Sequence, residues 1–187
     1  MNRLWRRWQG ETLLETYCYS ASGRLTNRTD ASGTHTWVYD VRDRLRTNTT
    51  PAGTLVYDYD ANGNLTGISS STPGGTAVTY QYDSLSRLTN VVDSRLSGTQ
   101  NTAYRLDAVS RLQALRYPNG MTNLYQYDSL NRVTNLTWKL NASVLADFGY
   151  RLGMAGNRTN LSETVNGAGR SYGWEYDALC LNLTRQP

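Results

Sequence analysis

The amino-acid sequence predicts an all-β fold, built as a repetitive antiparallel meander of β-hairpins. A motif of the form Tyr57-Asp58-Tyr59-Asp60-Ala61-Asn62-Gly63-Asn64-Leu65-Thr66 returns in eight copies, at intervals of 20 to 25 residues. Apolar and other residues alternate before each turn with the period of a β-strand. Asp, Asn, Gly and Pro then mark the turns within and between the copies. We therefore predict that residues 1–187 form a single array of about eight hairpins, beginning and ending in mid-repeat, with no separate cargo or protease domain.

The first strand of each copy ends at the place that Asp60 occupies, which we call the turn position. Three residues before it stands an aromatic residue in every copy, and one residue before it stands Tyr or Leu. Because side chains two residues apart share one face of a strand, these two rows lie on the same face. The turn positions of the eight copies are Ser20, Asp40, Asp60, Asp83, Asp107, Asp128, Gly153 and Asp177.

The turn and the second strand follow from the residues after Asp60. Asp accepts backbone N–H bonds in turns, and Gly63 adopts positive φ without a steric penalty. The chain reverses there, so that Leu65 faces Tyr59 across the hairpin. An Arg four residues after the turn position is expected to pair across the same turn. Two other copies show the same structural positions most clearly. Their residues at these positions are Tyr80, Tyr82, Asp83 and Leu88 in one copy, and Tyr125, Tyr127 and Asp128 in the other.

The last two copies depart from the pattern. Gly153 replaces the Asp, Arg158 and Asn182 replace the Leu, and Cys180 and Leu181 disturb the eighth turn. We expect the array to falter at these positions.

The two faces of the predicted sheet differ. Between the two aromatic positions the copies carry mostly polar residues, among them Asp58, Gln81, Arg105, Gln126 and Glu175. One face is therefore wet and the other is lined by Tyr and Leu. About sixteen strands would make a flat sheet of roughly 75 Å, and long open sheets curl. We expect the sheet to coil with the Tyr and Leu face on its concave side.

The composition argues against several classes of partner. The formal net charge is +4, without a block of like charges, so we expect no nucleic-acid binding. No apolar run is long enough to cross a bilayer, and residues 1–9 lack the apolar centre of a signal peptide, so we expect no membrane insertion. Cys18 and Cys180 lie near opposite ends of the array and are predicted to be free thiols.

No catalytic or metal site is predicted, and no cofactor. The turn Asp residues are separated by about two strands, too far apart for their carboxylates to share an ion. His35 is the only histidine, and no pattern supports a Ser-His-Asp or Cys-His site around it. The rings of Tyr82 and Tyr127 remain possible glycan contacts, although packing against Leu is the preferred interpretation.

The phased copies resemble the YD-repeat, or RHS-repeat, family. The resemblance covers nearly the whole chain and is most specific at residues 57–66, 80–89 and 125–134. It implies a segment of the β-shell found in bacterial polymorphic toxins, insecticidal toxin complexes and teneurins. The implied role is structural and non-enzymatic, in a parent that encloses or delivers a C-terminal toxin or other cargo, secreted or at the cell surface. The implied partners are further repeats or that cargo.

An alternative interpretation is a cell-surface recognition module that binds glycans or a protein partner through its Tyr-rich face. Self-association through exposed edge strands is expected in either case.

Overall fold

The computed structural model describes residues 3–95, 100–176 and 182–186, with side chains up to residue 176. Every regular element in this part of the chain is a β-strand, and the strands that pair do so antiparallel. The prediction of an all-β antiparallel meander is confirmed. The described residues contain no helix long and apolar enough to span a membrane.

The strands fall into two compact units. The first comprises residues 1–86 and 91–99, and the second comprises residues 87–90 and 100–187. Strand β9 (Leu88–Asp93) is divided between them. The first unit holds β1 (Arg6–Gln9), β2 (Thr12–Tyr19), β3 (Leu25–Asp30), β4 (Gly33–Tyr39), β5 (Leu45–Thr50), β6 (Gly53–Tyr59), β7 (Leu65–Ser70) and β8 (Ala77–Tyr82).

The second unit repeats the same arrangement. Each of its strands pairs with the next one in sequence, as in the first unit. Its strands are β10 (Gln100–Leu106), β11 (Leu112–Arg116), β12 (Met121–Tyr127), β13 (Val133–Leu140), β14 (Ser143–Leu152), β15 (Arg158–Val165), β16 (Ala168–Tyr176) and β17 (Asn182–Gln186).

The hairpin register agrees with the sequence pattern. Tyr59 lies opposite Leu65 as predicted, and Tyr127 lies opposite Val133. The register shifts by one residue just before each of these pairs. Asp58 on β6 pairs with Gly67 on β7, which leaves Thr66 as an extra, unpaired residue of β7. The same β-bulge recurs at the same place in the other hairpins whose register is known. A bulge increases the local strand twist, so each repeat carries a built-in twist that the sequence did not reveal.

Neither unit has a conventional core. Among the described residues of each unit, strands contact only their neighbours in sequence, which leaves a single layer of sheet. Among the described residues only Ala114 and Ala146 are buried, with 8% and 5% of their surface exposed. The predicted wet face is confirmed, because Asp58 and Gln126 are exposed whereas the flanking Tyr residues are partly buried. Stability must therefore come mainly from contacts along the layer.

The expected interruption at Gly153 is absent. Strand β15 pairs with β14 from Val165, opposite Ala146, to Arg158, which takes the place opposite Leu152. The turn keeps both backbone hydrogen bonds of the other copies, from Gly153 N–H to the Asn157 carbonyl (2.8 Å) and from Gly156 N–H to the Gly153 carbonyl (3.0 Å). A Cβ on Gly153 would lie 2.7 Å from Asn157 Oδ1, so the Asn157 amide lies beside the position that a side chain at residue 153 would take. The expectations for Asp177, Cys180, Leu181 and the Asn182 side chain lie outside the described residues.

Candidate functional site

The turn at the end of each first strand has one backbone geometry in all copies described. In the copy that opened the sequence analysis, Gly63 N–H donates to the Asp60 carbonyl (3.2 Å), and Asp60 N–H donates to the Asn64 carbonyl (3.0 Å). The third residue after the turn position has positive φ, 95° at Gly63 and 63° at Asn131. Gly or Asn, which tolerate this conformation best, occupies this place in four described copies, and Asp or Ser adopts the same positive φ at Asp43, Ser86 and Ser110.

The Asp at the turn position binds the backbone of its own turn. Asp40 Oδ1 accepts the N–H groups of Arg42 (2.8 Å) and Arg44 (3.0 Å), and its Oδ2 accepts Arg44 Nε (2.8 Å). Asp107 and Asp128 make the same contacts with their own turns. The Arg side chain four residues later is therefore fixed by the carboxylate, as the sequence predicted.

These contacts lower the pKa of the carboxyl group. The backbone N–H of Arg44 makes the largest contribution, and with the Arg44 side chain and the Arg42 N–H it lowers the pKa of Asp40 to about 2. Partial desolvation opposes this effect. The pKa values of Asp107 and Asp128 are lowered for the same reasons. In the Asp60 turn the largest contribution to the lowered pKa comes from the Asn64 side chain.

The same Arg reaches forward to the next repeat. Arg44 Nη1 donates to the Asp60 carbonyl (3.3 Å), and Arg132 Nη1 donates to the Gly153 carbonyl (2.8 Å). Arg111 binds both the Asp128 carbonyl (3.3 Å) and Asn131 Oδ1 (2.9 Å). The guanidinium thus connects two consecutive turns.

A tyrosine completes the connection in the reverse direction. The Tyr59 hydroxyl donates to the Leu45 carbonyl of the preceding copy (3.0 Å), and the Tyr127 hydroxyl donates to the Leu112 carbonyl (2.8 Å). Arg44 Cζ lies 4.4 Å from the centre of the Tyr59 ring. The contact between guanidinium and ring is worth about 0.5–1 kcal/mol, and the neutral hydrogen bond about 1 kcal/mol.

We call this arrangement the inter-repeat clamp: the turn Asp, the Arg four residues later, and the Tyr just before the next turn. Asp40, Arg44 and Tyr59 form one copy in the first unit. Asp107, Arg111 and Tyr127 form one in the second. The repeat pattern predicted the Asp and its pairing with Arg but not the contacts between repeats. The preference for Tyr over Phe, 14 against 1, was the available signal, because only Tyr carries the donor.

The predicted glycan contacts belong to the same row of tyrosines. The Tyr82 hydroxyl donates to the Leu65 carbonyl (2.8 Å), as Tyr127 does to Leu112. Desolvation raises the pKa of both tyrosines. Their hydroxyl protons are thus already engaged within the chain, and glycan contact through Tyr82 and Tyr127 stays a prediction.

A polar cluster interrupts the Tyr-lined face of the first unit. His35 Nε2 lies 3.1 Å from Ser32 Oγ and 3.8 Å from Asp30 Oδ2, and Arg28 pairs with Asp30 at 2.6 Å. No sequence pattern predicted such a grouping. It lacks the order of a catalytic triad, because Ser32 Oγ donates directly to Asp30 and both groups face the same His35 nitrogen. Cys18 is a free, exposed thiol, whereas Cys180 lies outside the described residues.

Comparisons with known proteins agree with this architecture. The model of the family described as "Teneurin YD-shell" matches residues 3–177. No curated protein matches the chain. The chain is similar to the crystal structure of TcdB2-TccC3-TEV, with a TM-score of 0.71 and 13% identity over 92% of this chain and 10% of that one.

Two related crystal structures give similar values. For TcdB2-TccC3-Cdc42 the TM-score is 0.67 and the identity 16%, over 90% of this chain and 10% of that one. For TcdB2-TccC3 without its hypervariable C-terminal region the TM-score is 0.66 and the identity 18%, over the same shares. The chain therefore spans about a tenth of the length of the solved chains it matches. At such identities the likeness establishes the fold alone.

Proposed function

The chain belongs to the teneurin YD-shell family, and from that premise we propose that it is a non-enzymatic segment of the wall of a larger shell. The observation that carries this proposal is the inter-repeat clamp. The groups that recur in the sequence, the Asp carboxylate, the Arg guanidinium and the Tyr hydroxyl, bind other parts of the same chain. A recurring motif whose polar groups bind one another is suited to extending a wall.

The parent protein, in this proposal, encloses or delivers a C-terminal toxin or another cargo at the cell surface or outside the cell. Support comes from the family and from the single-layered sheet, which has a partly buried Tyr and Leu face and a wet face. A single layer with two unlike faces can separate an enclosed space from solvent. The partners of this segment are then further repeats along the wall and the cargo inside it.

The complete reading frame that contains this chain provides the test. We expect it to encode further repeats and a cargo domain. Protease treatment of the purified product should leave the cargo domain intact under native conditions and degrade it after mild denaturation. A product whose remaining domains are cleaved as fast in the native state as in the denatured state would contradict encapsulation.

Exposed strand edges also predict self-association of the isolated chain. Light scattering should give a mass that rises with protein concentration. A constant monomer mass at high concentration would contradict this expectation.

A further inference from the structure

The sequence contains three Asn-Gly pairs, and all of them lie in turns between strands. They are Asn62-Gly63, Asn119-Gly120 and Asn166-Gly167, and each Asn is exposed. In such a pair the Gly nitrogen can attack the side-chain amide of the Asn, because glycine has no side chain that shields its nitrogen. The ring closure is intramolecular, so its rate depends on how freely the two groups reach the geometry of attack.

The turn at Asn119 holds both of the groups that would react. Gly120 N–H donates to the Tyr117 carbonyl (3.1 Å), which fixes the attacking nitrogen. Asn119 Oδ1 accepts the N–H of Met121 (3.0 Å), which fixes the amide that would be attacked. Ring closure at Asn119 must therefore break two hydrogen bonds.

The turn at Asn62 holds one of the two groups. Gly63 N–H donates to the Asp60 carbonyl (3.2 Å), whereas the Asn62 side chain has no hydrogen-bond partner among the described residues. Ring closure at Asn62 must therefore break one hydrogen bond.

The turn between β15 and β16 holds neither group. Asn166 and Gly167 form the whole loop between Val165 and Ala168, which lie opposite each other, and their φ angles are 48° and 83°. Within the described part of the chain, neither the Gly167 N–H nor the Asn166 side chain has a hydrogen-bond partner. A Cβ on Gly167 would meet nothing within 4 Å, so the space around the nitrogen is open.

We propose that Asn166 is a site of spontaneous deamidation in the folded chain. The Gly167 nitrogen loses its proton and bonds to Asn166 Cγ, the bond from Cγ to Nδ2 breaks, and the side-chain nitrogen leaves as ammonia. Water then opens the resulting succinimide ring at one of its two carbonyl groups. The products are aspartate and isoaspartate, and in isoaspartate the backbone runs through Cβ and Cγ.

The reaction alters a contact between two repeats. Asn166 N–H donates to the Leu145 carbonyl of β14 (2.8 Å), and Val165 lies opposite both Ala146 and Ala168. Isoaspartate lengthens the backbone of this tight loop by a methylene group, and both products add a negative charge. We therefore expect β15 and β16 to separate first at the end that carries this loop.

The experiment incubates the whole chain in mildly alkaline buffer, either folded or unfolded in urea. Peptide mapping by mass spectrometry follows the three pairs in the same sample. In urea the three pairs should react at similar rates, because they share the Asn-Gly sequence. In the folded chain Asn166 should react about fivefold faster than Asn62 and about 25-fold faster than Asn119, since each hydrogen bond that must break slows the reaction about fivefold.

Hydrogen exchange of the incubated chain tests the effect on the repeat contact. Exchange of residues 163–170 should increase with the extent of deamidation. Asn166→Gln should abolish this increase, because the longer side chain closes a less favourable ring, and the matched control Asn119→Gln should leave it unchanged. Equal rates at the three pairs in the folded chain, or a faster reaction at Asn62 or Asn119, would overturn the assignment of the site. Deamidation of Asn166 without increased exchange would overturn its effect on the contact.

Discussion

Tyr59→Phe and Tyr127→Phe each remove one hydroxyl and leave the ring in place. The lost hydrogen bond joins two repeats, from Tyr59 to the Leu45 carbonyl or from Tyr127 to the Leu112 carbonyl. A neutral hydrogen bond of this kind contributes about 1 kcal/mol to the free energy of unfolding. For a chain of this length that corresponds to a loss of about 2–4 °C in the melting temperature. The two substitutions share no partner, so their effects should add to about 2 kcal/mol.

The matched controls are Tyr57→Phe and Tyr125→Phe. Each lies two residues before its counterpart on the same strand, β6 or β12, and on the same face. Neither control hydroxyl forms a hydrogen bond with any described residue, so we expect changes of less than about 0.5 kcal/mol.

Urea unfolding followed by circular dichroism gives the free energies. Hydrogen exchange of β5 and β6 measures the local effect, since repeat arrays need not unfold in one step. Equal losses in the Tyr59 and Tyr57 variants would refute the clamp as the reason for tyrosine at this position.

Three further predictions follow from the same contacts. The turn carboxyl groups have lowered pKa values in the folded chain, about 2 for Asp40. Their contribution to stability is therefore complete above the pKa of the unfolded chain, near 4, and is lost as the pH falls towards 2. Melting temperatures should fall across that window, and less steeply in an Asp40→Asn, Asp107→Asn, Asp128→Asn variant; equal slopes would contradict the assignment. Gly153→Asp together with Asn157→Arg should rebuild the Asp–Arg pair of the turn and raise the melting temperature by about 2–4 °C, whereas Gly153→Asp alone should give a smaller rise, because Asn157 can supply only the neutral contact that Asn64 makes with Asp60. On a glycan array, changing Tyr82 and Tyr127 to Ala should leave any binding unchanged. Loss of glycan binding in this variant, with the fold retained, would favour the recognition module over the wall.

The sequence predicted the hairpins because their determinants are local. The period-two alternation, the Asp and Gly of the turn, and the place of Leu65 opposite Tyr59 all lie within ten residues. The pairing of Asp40 with Arg44 is local in the same way, since both groups flank one turn. These features need no knowledge of how one repeat contacts the next.

The excess of Tyr over Phe pointed to a hydroxyl donor, but its acceptor could not be predicted, because the contact depends on register between repeats. Tyr59 meets a carbonyl 14 residues earlier, and Arg44 meets one 16 residues later. The contact from Tyr59 to Leu45 joins β6 to β5, and the register of these two strands is set by the turn between the repeats rather than by the motif itself. The interruption predicted at Gly153 was wrong for another reason. The backbone hydrogen bonds of the turn, which form without the carboxylate, were not given enough weight.

The central claim is that this chain forms part of a wall with unlike faces. An electron cryo-microscopy map of the protein made from the complete reading frame tests it most directly. We expect a curved wall whose inner surface carries Tyr59 and Leu65 and whose outer surface carries Asp58 and Gln126. A wall with the opposite orientation, or an open sheet with both faces in solvent, would contradict it.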